Sequence, residues 1–576
     1  MPSKEQLQRL IRQARGREPA DLVLKGCTII NVFTRELVKA DIAICDTKIA
    51  GLGRYAGRKE MDCSGYLASP GFIEGHIHIE SSLLSPKQFV YAVHGFGTTT
   101  VVCDPHEIAN VAGSEGVMFV LDETEGLPVS VFVMVPSCVP ATHLETSGAR
   151  LDENDILSLY HHPRVIGLAE MMNYPGVLEG DEEIMKKIVT ARKNGLPIDG
   201  HSPQVLGKEL QAYISAGIGS DHECTVMEEA VERLRAGMYV FIREGSAARN
   251  LEELLPLVTE KTVQRCLLVS DDCHPHDLLK EGHLDRILRK AISLGLDPLM
   301  ALQMVTINAA QYFRFYNRGA IAPGFRADIV LFEDLQDIRP CNVFSAGRLT
   351  FNGGIIEKKK RKGSVRGYRK IFSSVTIQPG KINFEIQAKK KKLRVIKVIK
   401  DQILTDVVEM EPTVENGQAV ADPVRDLAKI AVVERHHGSG NIGKGFVTGI
   451  GLKQGALAGS IAHDSHNIIV VGISDEDMNL AVQAVAETGG GLAVVADKRV
   501  LSLLELGIAG LMSISSLTEV NNKLEELLQC AHSLGVQEEN PFMLMSFLAL
   551  PVIPHLKITD MGLVDVEAFK TVELWV

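Results

Sequence analysis

A single tryptophan in 576 residues, with aromatics at only 5%, leaves the core of this chain to be built almost wholly from aliphatic side chains. Its ten cysteines, at 27, 45, 63, 103, 138, 224, 266, 273, 341 and 530, are scattered without a C-x-x-C or any paired spacing. That excludes a disulfide scaffold and a thiolate zinc ribbon, and reduced thiols in a cytoplasmic protein are the expectation. No apolar run reaches the ~20 residues that span a bilayer. The longest, Pro541 to Pro554, is broken by prolines and reads as buried core or the wall of a pocket. The N-terminal stretch is polar and helix-like, without the apolar centre of a signal peptide, so nothing suggests export. Positive charge is in deficit: 61 Lys and Arg against 72 Asp and Glu give a formal net charge of -11. A field of that sign repels nucleic acid and anionic membrane and is indifferent to a small neutral substrate. Fixed-period repeats are absent, as is low-complexity sequence apart from two lysine-rich runs, Lys358 to Lys362 and Lys389 to Lys392.

What is present is ample core material. Hydrophobic residues make up 45% and charged residues 23%, and the length calls for two or three domains, one of them large. Residues 21–53 alternate apolar and polar positions between turn residues, as short antiparallel strands do. From residue 69 to about 272 the texture changes to eight apolar runs separated by helical periods: 72–79, 98–103, 129–135, 165–170, 197–200, 218–221, 238–242 and 266–270. Eight alternations of strand and helix predict a (β/α)8 barrel, an α/β fold whose chemistry lies at the C-terminal ends of its strands. Residues 319–332 return to β texture and are expected to complete the sheet begun before the barrel. The expected division is a helix and the first part of a small β-sandwich over 1–68, the catalytic barrel over 69–318, the rest of the sandwich over 319–370, and a separate α/β or α+β domain over 371–576. The lysine runs are expected to form a solvated crossing into that last domain.

Six residues of metal-ligand type fall at or just past the ends of those runs. His76 and His78, spaced i, i+2 on a strand, point to one face and can reach one divalent cation. Glu170, His201, His222 and Asp271 follow, each after its own apolar run. A binuclear hydrolytic site needs nitrogen and carboxylate ligands on two divalent cations that acidify a water between them. In this set His76, His78 and Asp271 would hold one cation, His201 and His222 the other, with Glu170 bridging and Asp271 also carrying the proton. A lone histidine among eighteen is more often a surface or core residue, and Glu170 alone could be structural; the weight comes from the ensemble. Asp272 follows Asp271 directly, so residue spacing leaves open which of the two is the ligand.

Gly75-His76-Ile77-His78, with the later histidines, the aspartate pair and the trailing 319–332 segment, resembles the amidohydrolase superfamily. Stretches 75–82, 104–110, 167–173, 199–203, 220–223 and 269–275, together with His436-His437-Gly438-Ser439-Gly440 and Ala462-His463-Asp464-Ser465-His466, are similar to the bacterial and archaeal adenine deaminase family. The resemblance covers nearly the whole chain. It implies hydrolysis of adenine to hypoxanthine and ammonia in purine salvage, with two divalent metal ions, Mn or Fe first and Zn as an alternative. It also ranks Asp271 ahead of Asp272 as ligand, since the pair resembles that of adenosine deaminases, and leaves Asp272 to contact the base. Glutamate at 170 argues against the cyclic-amide branch, whose members use a carboxylated lysine there. Glu80, His106, Glu107 and Arg243 lie near strand ends and are candidates for reading the base, His106 and Glu107 from a loop. The implied partner is a small molecule, with no nucleic acid and no membrane, and the expected assembly is a homo-oligomer, a dimer for preference. A rival reading is a hydrolase of another heterocycle or cyclic amide.

Two other signals lead elsewhere. Gly438-Ser-Gly440-Asn-Ile-Gly443 fits a dinucleotide-binding pattern, but the glycine-rich, β-branched sequence after it offers no helix N-terminus for a pyrophosphate, so a mobile loop carrying His436 and His437 is expected instead. His78-Ile79-Glu80 fits half of a zinc deaminase signature whose other half, P-C-x-x-C, does not occur. A non-catalytic scaffold is disfavoured by the complete ligand set.

Overall fold

A computed structural model of the chain describes residues 3–246, 248–356, 367–400, 402 and 404–576. The run Lys358 to Lys362 lies outside the described residues, whereas Lys389 to Lys392 are exposed. Eight parallel staves, Phe72–His78, Thr98–Cys103, Ser130–Val135, Val165–Met171, Ile198–Gly200, Ser220–Asp221, Tyr239–Arg243 and Cys266–Val269, follow one another around a barrel. Ladders join the first five in chain order and the last three likewise. The ring closes at two places. Gly219 donates its N–H to Ile198 O at 2.9 Å between the fifth and sixth staves. The eighth stave resumes after Ser270 as Asp271–Asp272, which pairs with the first, Asp271 opposite Ile77. The first stave is buried at every position, as expected of a parallel strand covered on both faces.

Ile73, Val102, Met134, Ala169, Phe241 and Leu267, each from a different stave, fill the barrel interior. A register shift between Glu74 and Ile77 changes the phase of the first stave. Ile73 joins that interior, a Cβ at Gly75 would meet Leu267 at 3.0 Å, and Ile77 joins the outer core with Leu84 and Phe89. Between staves run helices such as Glu182–Lys193. Its Asp181 cap accepts from the amides of Glu183 and Ile184, its first turn carries acids and its last Arg192 and Lys193.

The flanking β unit is assembled from both sides of the barrel. Leu67–Pro70 lies between Leu22–Asn31, parallel to it, and Ile329–Phe332, antiparallel. The expected sandwich is built as one continuous nine-stranded sheet that coils around Leu24, Ile29, Ile42, Ile44, Leu331 and Phe344. Hydrogen bonds pass from strand to strand throughout, so its layers are not separate sheets.

The C-terminal part is α+β: an eight-stranded, mostly antiparallel sheet with helices Asp475–Glu487 and Leu517–Ser533 packed on it. It seats on the barrel mouth. Ser85 N–H donates to Ser513 O at 2.8 Å and Ser513 N–H to Leu83 O at 2.7 Å, while Thr146 and Leu144 bond Asp560 and Thr559. Gly438 to Gly443 runs into strand Ile442–Thr448, so no helix starts there. The mobile loop expected around His436 and His437 is instead a tight turn. The Glu434 carboxylate accepts the amides of His436, His437 and Ser439, and His437 Nε2 reaches Ser147 O at 3.0 Å.

Candidate metal centre

The six ligand-type side chains meet at the barrel mouth with Glu170 in the middle. Glu170 Oε1 lies 3.4 Å from both His78 Nε2 and His106 Nδ1, and Oε2 lies 2.7 Å from His201 Nδ1 and 3.0 Å from His222 Nε2. One carboxylate therefore faces two sets of imidazoles, one on each oxygen. On the first side Asp271 Oδ1 is 3.2 Å from His78 Nε2 and 3.7 Å from His76 Nε2. On the second, Glu223 Oε1 is 3.5 Å from His201 Nδ1 and from His222 Nε2. The His76 and His222 rings stack 4.1 Å apart, so the two sets adjoin.

Backbone and neighbours fix these orientations. His78 Nδ1 donates to Asp104 O at 3.0 Å, which puts the proton on that nitrogen and turns the Nε2 lone pair inward. Asp271 has φ +58°, a left-handed conformation costing a non-glycine residue roughly 1 kcal/mol, and the turn it makes lifts its carboxylate toward the histidines. Beneath it the buried Glu74 carboxylate accepts Ser270 N–H at 3.2 Å and His76 N–H at 3.0 Å, tying the first and eighth staves together. Arg243 donates to both oxygens of Glu223 and, at 2.9 Å, to Asp271 Oδ2, leaving Oδ1 toward the imidazoles.

The electrostatics call for positive charge. Burial alone would raise Glu170, but His201 and His222 beside it hold its carboxyl well below the usual range. Burial would likewise raise Asp271, and His78 with the Arg243 guanidinium keeps it well below. In return, against a burial that would lower it, His78 is lifted well above the ordinary imidazole by Asp271 and Glu170, and His222 is lifted by Glu170. His76 goes the other way, pushed well down by burial and then by the His222 and His78 charges. Its Nε2 is buried with no hydrogen-bond partner among the described residues, as are His106 Nδ1 and both Asp104 carboxylate oxygens. Bare lone pairs next to carboxylates in a buried site fit divalent cations better than they fit one another. The donor set, imidazole nitrogens and carboxylate oxygens without thiolate, suits Mn, Fe or Zn.

Of the residues expected at the base, Glu80, Glu107 and Asp272 border a cavity beside the centre, whose lining also includes Phe542 and Phe547 of the C-terminal domain. Glu80 Oε1 accepts Ile108 N–H at 3.1 Å, and Oε2 has no hydrogen-bond partner among the described residues. Burial, then the Asp271 charge, raises the Asp272 carboxyl. Arg243 does not border this cavity, its guanidinium being committed to Glu223 and Asp271. His106 and Glu107 open helix His106–Ala112 rather than sitting in a loop, and His106 stands with His78, Asp104 and Glu170 in one ligand-type group. Sequence reasoning passed over Glu74, Asp104 and Glu223. Asp104-Pro105-His106 repeats the i, i+2 spacing of His76 and His78 at the next stave, and Glu223 directly follows His222, so both carried a signal. Glu74 carried none, since its role depends on the eighth stave lying alongside.

The amidohydrolase family model matches residues 67–400, and the model of the adenine deaminase C-terminal domain matches residues 402–570. An adenine deaminase from Desulfatibacillum aliphaticivorans is 48% identical over 566 residues, covering 98% of this chain and 99% of its own. Adenine deaminase 2 of Carboxydothermus hydrogenoformans is 49% identical, covering 98% of each chain, and an adenine deaminase of Brucella suis is 45% identical over 98% of this chain. Similarity of that extent runs through the barrel, the coiled sheet and the C-terminal domain alike, and the chain belongs to the amidohydrolase family, in the adenine deaminase branch.

Proposed function

We infer that this protein hydrolyses adenine to hypoxanthine and ammonia, a step of purine salvage, using two divalent cations at the barrel mouth. The observation that carries the chemistry is Glu170, whose two oxygens face two separate sets of imidazoles. His76, His78 and Asp271 would hold one ion, His201 and His222 the other, with Glu170 shared and Glu223 beside the second. Bound there, the ions, Mn or Fe by preference, would acidify a water at neutral pH and polarise the electrophile.

The chain's own groups supply positioning and proton transfer. Asp271 takes the proton from the water that attacks C6 of the purine and hands it to the departing amino group, which leaves as ammonia when the tetrahedral carbon collapses. Arg243 holds Asp271 Oδ2 at 2.9 Å, so Oδ1 alone is aimed at the reacting atoms and the shuttle needs no reorientation. Asp272, Glu80 and Glu107 present carboxyl groups to the polar edge of the base from the cavity they border. His106, 3.4 Å from Glu170 Oε1, adds an imidazole to the surroundings of that carboxylate.

The deciding experiment is ammonia release from adenine by chelator-treated and Mn-reloaded protein, with adenosine and a hydantoin as controls. Reloaded protein is expected to turn over adenine and treated protein not to; turnover of the hydantoin in place of adenine would overturn the assignment.

A further inference from the structure

The cavity beside the metal centre is only half made by the barrel. Its other half is the C-terminal domain: Ile461, His463, Phe542 and Phe547 line it together with Glu80, Glu107 and Asp272, His463 standing beside Glu107. His463 stacks on Phe547 with ring centroids 4.9 Å apart and an interplanar angle of 26°, so the imidazole presents its edge rather than its face to neighbouring groups. The backbone places that ring firmly, His463 N–H donating to Ser546 O at 3.1 Å on helix Pro541–Leu548. Its side chain is 14% exposed, and its nearest charged neighbours, Glu107 Oε1 and Asp464 Oδ1, lie 3.8 Å from Nδ1, beyond hydrogen-bond range. A ring fixed in place, mostly buried, on a cavity wall and with nitrogens that make no hydrogen bond among the described residues has the features of a ligand-reading group.

We propose that the C-terminal domain completes the substrate pocket and that His463 is a specificity-determining residue, hydrogen-bonding the imidazole half of the adenine ring while Phe547 backs it. The inference rests on the adenine reading above. Asp272, directly following Asp271 of the metal centre, takes the side of the base where C6 reacts. His463 and Phe547 approach from the facing domain and meet the N7/N9 edge. A site that hydrogen-bonds a ring nitrogen discriminates strongly against an analogue lacking it, because its own polar atom is then left buried and unpaired.

The test compares adenine, 7-deazaadenine and 9-deazaadenine on Mn-loaded wild type, His463→Ala, His463→Gln and Phe547→Leu. Wild type is expected to lose roughly 10- to 100-fold in kcat/KM for at least one deaza analogue. His463→Ala is expected to raise KM for adenine by about tenfold or more, to leave metal content at two ions per chain, and to abolish the discrimination between adenine and that analogue. His463→Gln, which keeps a hydrogen-bonding group, is expected to recover part of it, and Phe547→Leu to raise KM without altering the discrimination. A loss of domain docking would move all substrates together, so the analogue ratio separates recognition from structure. If wild type deaminates adenine but both His463 variants keep its KM and its analogue ratio, the inference falls while the function stands; if wild type does not act on adenine, the functional reading itself falls.

Discussion

Among single residues, Asp271 and Asp272 show how much one step along the chain decides. The first sits in a left-handed turn with its carboxylate among imidazoles and a guanidinium; the second lies on the cavity side. Asp271→Asn keeps the shape and the Arg243 contact but removes the proton acceptor, so kcat is expected to fall by about 10²- to 10⁴-fold with an unchanged circular dichroism spectrum. If Asp272→Asn lost that activity and Asp271→Asn kept it, the roles would be exchanged. Glu223 yields a second expectation. Its Oε1 faces His201 and His222 at 3.5 Å, and Arg243 clamps it, so Glu223→Gln is expected to weaken retention of the second ion by about 10- to 100-fold while the first is kept. Elemental analysis after gel filtration checks this, unchanged occupancy counting against it. The candidate ligands are legible in the sequence because each ends its own apolar run, and periodicity says where a strand stops. Glu74 and Arg243 act through partners that the fold alone brings near, and no local pattern announces that.

At the level of elements, the shortest staves are held by polar contacts that stand in for missing ladder length. Ser220–Asp221 has two residues, and the carboxylate of Asp221 takes hydrogen bonds from Arg233 Nε at 2.9 Å and from Ser202, all fully buried. Arg233 also bonds Ser202 O, so helix Met227–Arg235 is stitched to the loops carrying His201 and His222. Arg233→Met strands a buried carboxylate and is expected to cost about 3–5 kcal/mol at pH 7. The pH dependence follows from charge. Burial would raise the Asp221 carboxyl, but Arg233 and its hydrogen bonds hold it below the usual value. Its contribution is therefore complete above the unfolded pKa of about 3.9 and is lost only as pH falls through the lower folded value. In the variant the Arg233 charge is gone and burial is opposed only by the Ser202 and Glu223 hydrogen bonds and by His222, so the folded state takes up a proton more readily on acidification, and the gap in melting temperature from wild type is expected to narrow between pH 7 and pH 4. A constant gap would show that Arg233 acts through packing. These staves are readable from sequence as the short runs 197–200 and 218–221, whereas helix His106–Ala112 is not. Its leading Asp-Pro reads as a turn, and a helix of seven buried residues has no polar face to reveal its period.

For the whole molecule, the largest hydrophobic cluster ignores the division between barrel and C-terminal domain. Leu84, Val90 and Val120 from the barrel side share it with Ile371, Leu511 and Met512. A chain ending at residue 400 would expose that surface and lose Phe547 and His463 from the cavity. It is expected to aggregate or elute as large species on gel filtration, where a monodisperse, cooperatively melting barrel would show that the halves are independent. Alternating strand and helix patterns make the barrel legible from sequence, while the docking face is not, because interfacial leucines look like any other core. The coiled sheet has a consequence in time. Leu67–Pro70 pairs on one side with Leu22–Asn31 and on the other with Ile329–Phe332, so the strand that leads into the barrel acquires its second neighbour only after everything between has left the ribosome. At ~5–20 residues per second, a gap of roughly 260 residues keeps that edge waiting for some tens of seconds, an interval in which a chaperone or a premature partner has its opening.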